Sequence, residues 1–190
     1  MNSLIKLGRK TTHYKSIDST QKEIWRKIQN KTIENGEVII ADIQTEGIGT
    51  HGRKWHTDEE NNIAFSFGII LNKNIKLIEN LTYEIAEIFT KILKNKYNIK
   101  IKIKIPNDLM IENKKIGGIL TETKLQGEII KYLVIGIGIN TNTNKFNKEI
   151  ENTATSIKKE FNITVNNKKI IKEFLKEFEK NINERIRKEL

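Results

Sequence analysis

Four places in this sequence interrupt runs that otherwise read as core: Asp18-Ser19-Thr20, the segment Gln44 to Trp55, Pro106-Asn107-Asp108, and Lys115-Ile116-Gly117-Gly118. Together they supply hydroxyls, an amide, glycine N–H groups, cations at Arg53 and Lys115, and the carboxylate of Asp108. The segment from Gln44 to Trp55 holds Gly47, Gly49 and Gly52, then Arg53 and Lys54, between two strand-like apolar runs. Glycine permits positive φ and close approach of the backbone to a ligand, and N–H groups beside cations suit an anion. The segment therefore reads as a loop that handles a phosphate or a carboxylate. No Ser-His-Asp pattern occurs; His13, His51 and His56 lack metal-ligand spacing and read as surface residues. The set suits nucleotide-dependent activation of a carboxylate. An attacking carboxylate and an α-phosphate must meet, and fixed cations such as Lys115 and Arg53 would offset their repulsion. A glycine loop that closes would keep water from a labile mixed anhydride.

The elements that must position these residues follow from apolar spacing. His13 to Ile17 reads as a short strand, and Asp18 or Ser19 is an N-cap for a helix carrying Ile24, Trp25 and Ile28, closed by Gly36. Glu37 to Ile43 is a strand entering the glycine loop, and Ala64 to Leu71 is a central strand followed by a turn at Asn72 to Lys76. Leu77, Leu81, Ile85, Ile88 and Ile92 form one stripe, which predicts a helix over Leu77 to Tyr97. Ile99, Ile101, Ile103 and Ile105 alternate with lysines, as in a half-buried strand that ends at the turn around Pro106, the single proline. Strands at Leu109–Ile111, Lys115–Thr123 and Ile129–Ile139, a short helix after Thr155, and a last helix bearing Ile170, Phe174 and Phe178 complete the pattern. The fold class expected is α+β, a mixed, mainly antiparallel sheet flanked by helices.

Composition narrows the function classes. With 190 residues, no Cys and no apolar run of membrane-spanning length, a single soluble, cytoplasmic domain without disulfides or thiolate metal sites is expected. The opening residues from Met1 to Lys6 hold no signal-peptide core. The net charge of +10 invites a nucleic-acid partner. However, the excess lysine is spread through every segment beside Asn and Ile, and no basic–aromatic cluster forms a stacking platform. No nucleic-acid or membrane partner is expected.

In order along the chain, these segments resemble the catalytic domain of bacterial biotin protein ligases. The resemblance is carried by Asp18-Ser19-Thr20, Gln44…Gly47-x-Gly49-x-x-Gly52-Arg53-x-Trp55, Pro106-Asn107-Asp108-Leu109, Lys115 to Glu122, Gly136-Ile137-Gly138-Ile139-Asn140, and Thr153 to Ile157. It implies a class II aminoacyl-tRNA synthetase-like fold. It also implies a two-step reaction: biotin and ATP with Mg²⁺ give biotinyl-5′-AMP, and the biotinyl group passes to a lysine of biotin carboxyl carrier protein, a subunit of acetyl-CoA carboxylase. By the same resemblance Ser19, Thr20, Gln21 and Gln44 line the biotin site with Gly47, Ile48, Gly49, Thr50 and Gly117. Lys115 and Arg53 are the catalytic cations, Lys115 also touching biotin; Arg53, Trp55, Asn107, Asp108 and Asn140 lie on the ATP side. A homodimer is common in the family, and the run Ile129–Ile139 is either its edge or a central strand.

The departures carry expectations of their own. Ile48 and Thr50 stand where loop arginines are usual, Ile105 stands where a Trp precedes Pro-Asn-Asp, and Glu59-Glu60-Asn61-Asn62 replaces a glycine pair. Fewer arginines predict faster loss of biotinyl-AMP. The resemblance implies a minimal, non-repressor ligase over residues 1–190, or a fragment of one, without an N-terminal DNA-binding domain or the small C-terminal β-barrel. Two alternatives stand beside it: a lipoate or octanoyl transferase of the same fold, whose Arg-Arg-x-Ser-Gly-Gly-Gly loop this chain lacks, and a degenerate, non-catalytic biotin-binding protein.

Overall fold

A computed structural model describes residues 4–57 and 61–188. Its strands are β1 (Thr11–Ile17), β2 (Glu37–Gln44), β3 (Ile63–Asn74), β4 (Lys102–Lys104), β5 (Asp108–Ile111), β6 (Lys114–Gln126) and β7 (Ile129–Ile139). They form one seven-stranded sheet in the order β1-β2-β3-β7-β6-β5-β4. Only β1 and β2 run parallel; each other neighbouring pair is antiparallel. A parallel pair needs a crossover, and helix α1 (Thr20–Gln29) supplies it. The strand expected to be either edge or centre, β7, lies between β3 and β6, so it has no free edge to offer a second copy.

Side-chain alternation divides the sheet into two faces. Val38, Phe65, Phe67, Leu133 and Ile135 belong to the main core, with helices α2 (Leu81–Tyr97) and α4 (Asn167–Lys188). Phe65, Phe67, Phe89, Phe174 and Phe178 are fully buried there, and the rings of Phe89 and Phe174 stack with centroids 4.3 Å apart. On the opposite face Ile39 and Val134 pack with Ile24 and Ile28 of α1, flanked by the half-buried Tyr14, Trp25, Ile33 and Tyr132. One short helix therefore covers one end of a long sheet face. The rest of that face, where β6 and β7 carry Gly118, Gly136 and Gly138, is left for the site.

Several boundaries differ from those the sequence pattern predicts. Helix α1 ends at Gln29 with Asn30 as its C-cap; Gly36, at φ +81°, instead turns the chain into β2, where a Cβ would strike the carbonyl oxygen of Lys6 at 2.0 Å. Strand β3 runs on to Asn74 through an irregularity between Ile70 and Lys73, with Asn72 at φ 97°. Leu77 and Ile78 sit in a 3₁₀ turn, and α2 begins at Leu81 after Asn80 at φ 59°. The buried stripe crosses this break because Leu77 still points into the core. The alternation from Ile99 to Ile105 gives only a three-residue strand, since β4 pairs solely with the four-residue β5. Ile99 is buried at the exit of α2, while Ile105 is 76% exposed in a hairpin turn whose Ile105–Pro106 peptide is cis. No helix among the described residues is long and apolar enough to cross a membrane.

Candidate active site

The start of α1 brings three polar side chains under the sheet. Ser19 caps the helix, its hydroxyl accepting from the Lys22 N–H at 3.4 Å. The Asp18 carboxylate accepts from the Ser19 N–H at 2.7 Å and from both terminal nitrogens of Arg26 at 2.7 and 2.8 Å. The Arg26 hydrogen bonds, with that N–H, hold the Asp18 carboxyl at about 2 against an ordinary 3.8, more than offsetting its partial burial. This bidentate pair fixes the turn from β1 into α1 and so the direction of Ser19, Thr20 and Gln21, all of them buried. Thr20 then donates to the side-chain oxygen Oε1 of Gln44 from its N–H at 2.9 Å and from its hydroxyl at 3.1 Å, and its hydroxyl oxygen lies 2.8 Å from Ser66 Oγ.

The glycine loop folds back on itself. The Trp55 N–H donates to Gly47 O at 2.8 Å and the Gly49 N–H to Arg53 O at 2.7 Å, with a bridge between Ile48 and Lys54. The strands of this loop come so close that a Cβ at position 47 would sit 2.4 Å from Trp55 O, which is the reason for glycine there. Its tip is a 3₁₀ turn from Thr50 to Gly52, and Arg53 donates to the Thr50 hydroxyl at 2.8 Å and the Thr50 carbonyl at 3.2 Å. The loop delivers the Trp55 indole onto the floor, where a Cβ on Gly138 would lie 2.3 Å from the ring.

Opposite the loop, Lys115 leans across Gly118 to form an ion pair with Asp108, Nζ to Oδ1 2.6 Å, and stands 5.8 Å from the Trp55 ring centroid. Asn107, beside it, is buried and donates to Ile119 O at 3.0 Å, which ties the hairpin turn to β6. The Lys115 backbone is held from the far side, its N–H donating to Thr153 O at 2.8 Å and its carbonyl accepting from the Thr155 N–H at 2.9 Å. The cavity between them is open on one side and holds about 400 Å³. Along β7 its floor runs from Gly136, beneath Gln21, to Gly138, beneath Trp55. Two residues of strand span about 7 Å. The cavity thus has a carboxamide–hydroxyl end and, one strand repeat away, a cationic and aromatic end.

The sequence model of the biotin/lipoate A/B protein ligase family matches residues 14–140, a stretch that contains both ends of this cavity. The chain belongs to that family. The bifunctional ligase/repressor BirA of Bacillus subtilis is 33% identical over 178 residues, covering 92% of this chain and 54% of the relative. That of Escherichia coli is 29% identical over 136 residues, covering 72% and 42%. The chain thus spans about half the length of the curated relatives it matches. Among solved structures, the biotin protein ligase from Aquifex aeolicus in complex with biotin and ATP superposes with a TM-score of 0.75 at 29% identity, over 92% of this chain and 71% of that one. The seven-stranded mixed sheet with flanking helices is the class II synthetase-like fold of biotin protein ligase catalytic domains.

In this member of the family the cavity is lined by Ser19, Thr20, Gln21, Gln44, Ile48, Gly49, Thr50, Arg53, Trp55, Asn107, Asp108, Lys115 and Asn140, all expected from the sequence. Two expected residues lie behind it. Gly47 packs on the Trp55 backbone, and Gly117 faces the main core, where a Cβ would sit 3.1 Å from Leu109 Cδ1. The sequence reading missed Ser66, Gly136 and Gly138 as lining residues, although Gly136 and Gly138 were legible as glycines inside an apolar strand. It also placed His56 at the surface. Instead His56 lines the cavity with its side chain 10% exposed, Nδ1 2.9 Å from Asn147 Nδ2 and Nε2 3.6 Å from Glu149. Glu59 and Glu60 lie outside the described residues.

Proposed function

We propose that this chain is an ATP-dependent biotin ligase that forms biotinyl-5′-AMP and transfers the biotinyl group to a lysine of a biotin carboxyl carrier protein. The observation that carries the reading is Lys115. Its ammonium stands in the cavity, paired with Asp108 over Gly118, two strands across and two residues along the sheet from Ser66 at the hydrogen-bonding end. A ligand with its polar ring at the Thr20–Gln44–Ser66 end would bring its carboxylate to this cation. In the first step a carboxylate oxygen attacks the α-phosphorus and the bond to pyrophosphate breaks. In the second, a lysine amine attacks the acyl carbon, AMP leaves with the bonding pair, and the amine gives up a proton. Lys115 offsets the repulsion between carboxylate and α-phosphate, and Arg53 adds a second cation on the loop side. Trp55 and Asn140 bound the nucleotide end, and the backbone from Ile48 to Thr50 covers the intermediate and excludes water.

Magnesium is generally held by nucleotide phosphates plus one or two carboxylates rather than by a protein cage. Asp108, the one carboxylate among the described lining residues, is suitably placed for that. When bound, the ion neutralises phosphate charge.

Pyrophosphate release with ATP and biotin tests the reading. The unaltered chain should release pyrophosphate only when biotin is present, and Lys115→Ala should slow release by about 10²–10³-fold. No release from the unaltered chain sinks the ligase reading and leaves a biotin-binding module. Labelling of a carrier domain by lipoate in place of biotin moves the chain to the other branch of its family.

A further inference from the structure

The hydrogen-bonding end of the cavity contains a carboxamide whose orientation is fixed from outside the site. Glu122, half-buried on β6, accepts from Gln21 Nε2 at 2.8 Å and from Trp25 Nε1 at 2.7 Å, both at its Oε2. An ionised carboxylate only accepts. The nitrogen of the Gln21 amide must therefore face Glu122, and its carbonyl oxygen must face the other way. That oxygen is buried without a hydrogen-bond partner, in a side chain 2% exposed, above the bare Cα of Gly136, where a Cβ would approach it to 2.5 Å. Gln21 lines the cavity. A buried carbonyl kept unpaired needs a donor.

Across the same cavity the Gln44 amide is set in the opposite sense. Its oxygen already accepts two hydrogen bonds from Thr20, so what it offers a ligand is N–H. One amide presents an acceptor and the other a donor, a match for a planar group that carries N–H beside C=O.

We propose that Glu122 is a positioning residue that holds the Gln21 carbonyl toward the ligand and thereby makes this end of the cavity select a ligand N–H. The proposal rests on the biotin reading above. The ureido ring of biotin carries N–H on both sides of its carbonyl, whereas the dithiolane ring of lipoate has neither group. Trp25 assists by binding the same carboxylate oxygen, which fixes it against α1.

The test compares equilibrium binding of biotin and of an isosteric cyclic-carbonate analogue, in which ring oxygens replace both ureido N–H groups. The unaltered chain should prefer biotin by at least about a hundredfold, because the analogue leaves the Gln21 oxygen unpaired. In Glu122→Met nothing at position 122 accepts from Gln21 Nε2, the Gln21 amide can turn over, and the preference should narrow by about tenfold. A defect in packing alone would weaken both ligands equally. Trp25→Phe removes the other donor but leaves the Glu122–Gln21 bond, and it should keep the preference. Gln21→Met, which removes the acceptor, should abolish the preference and gives a second measure if Glu122→Met fails to fold.

An undiminished preference in Glu122→Met or Gln21→Met overturns the role of Glu122 and leaves the ligase reading standing. The same loss in Trp25→Phe also overturns it, since the effect then belongs to the seating of α1. Failure of the unaltered chain to bind biotin overturns the ligase reading and this assignment together.

Discussion

Thr50 and Arg53 show how one residue on a loop sets the state of another. The Arg53 guanidinium is turned back onto the Thr50 hydroxyl and carbonyl, so in this conformation it braces the loop rather than reaching across the cavity. Thr50 itself adds no charge. The cavity should therefore hold an adenylate with fewer charge-assisted contacts than a loop richer in arginine. Charged hydrogen bonds contribute about 1.5–3 kcal/mol each. Thr50→Arg should lengthen the half-life of protein-bound biotinyl-AMP by about tenfold, measured as the radiolabel retained through gel filtration. A complex that is already long-lived in the unaltered chain contradicts the expectation.

At the scale of elements, the join between β1 and α1 governs one end of the site. Its clamp is the Asp18–Arg26 pair, and Asp18 titrates at about 2 rather than 3.8. A carboxylate with a depressed folded-state pKa stabilises the fold above its unfolded pKa, and that stabilisation disappears as pH falls through the folded value. The contribution is therefore complete above about pH 4 and lost between there and about pH 2. Asp18→Asn should flatten the stability profile in that window and weaken ligand binding at neutral pH, read by denaturant titration and by calorimetry. The sequence made this join legible because Ser19 sits one residue ahead of an amphipathic helix. It misjudged β4 for an equally local reason. Alternation from Ile99 to Ile105 looks like a seven-residue strand, but a ladder lasts only as long as its partner, and β5 is four residues long. Partner length is not encoded in the strand itself.

The whole molecule divides its labour between the sheet's two faces. One face is an aromatic and aliphatic core closed by α2 and α4. Phe174 joins both helices to the sheet through stacked and edge contacts with Phe65, Phe89 and Phe178. Phe174→Ala should destabilise the chain by about 3–5 kcal/mol, seen as a lower denaturant midpoint with an unchanged slope. Unchanged stability would mean that the two helices dock independently of this ring. The other face gives up side chains at Gly118, Gly136 and Gly138 so that Lys115, Gln21 and Trp55 can lie close over the backbone and line the cavity. The loop residues and Lys115 were legible because they break local patterns. His56 and Glu122 were not. Their meaning comes from Asn147 and Gln21, 91 and 101 residues away in the chain, and only the folded sheet brings those pairs together.

The two tryptophans of the chain, Trp25 and Trp55, both stand at this site, one donating to Glu122 and the other lying on Gly138. The chain therefore carries its own optical probes. All of its indole emission originates within or beside the cavity, and Trp55 shares the floor with any ligand. Occupancy can be followed by intrinsic fluorescence with no label attached, and replacing either indole by phenylalanine separates the signal of the hydrogen-bonding end from that of the cationic end.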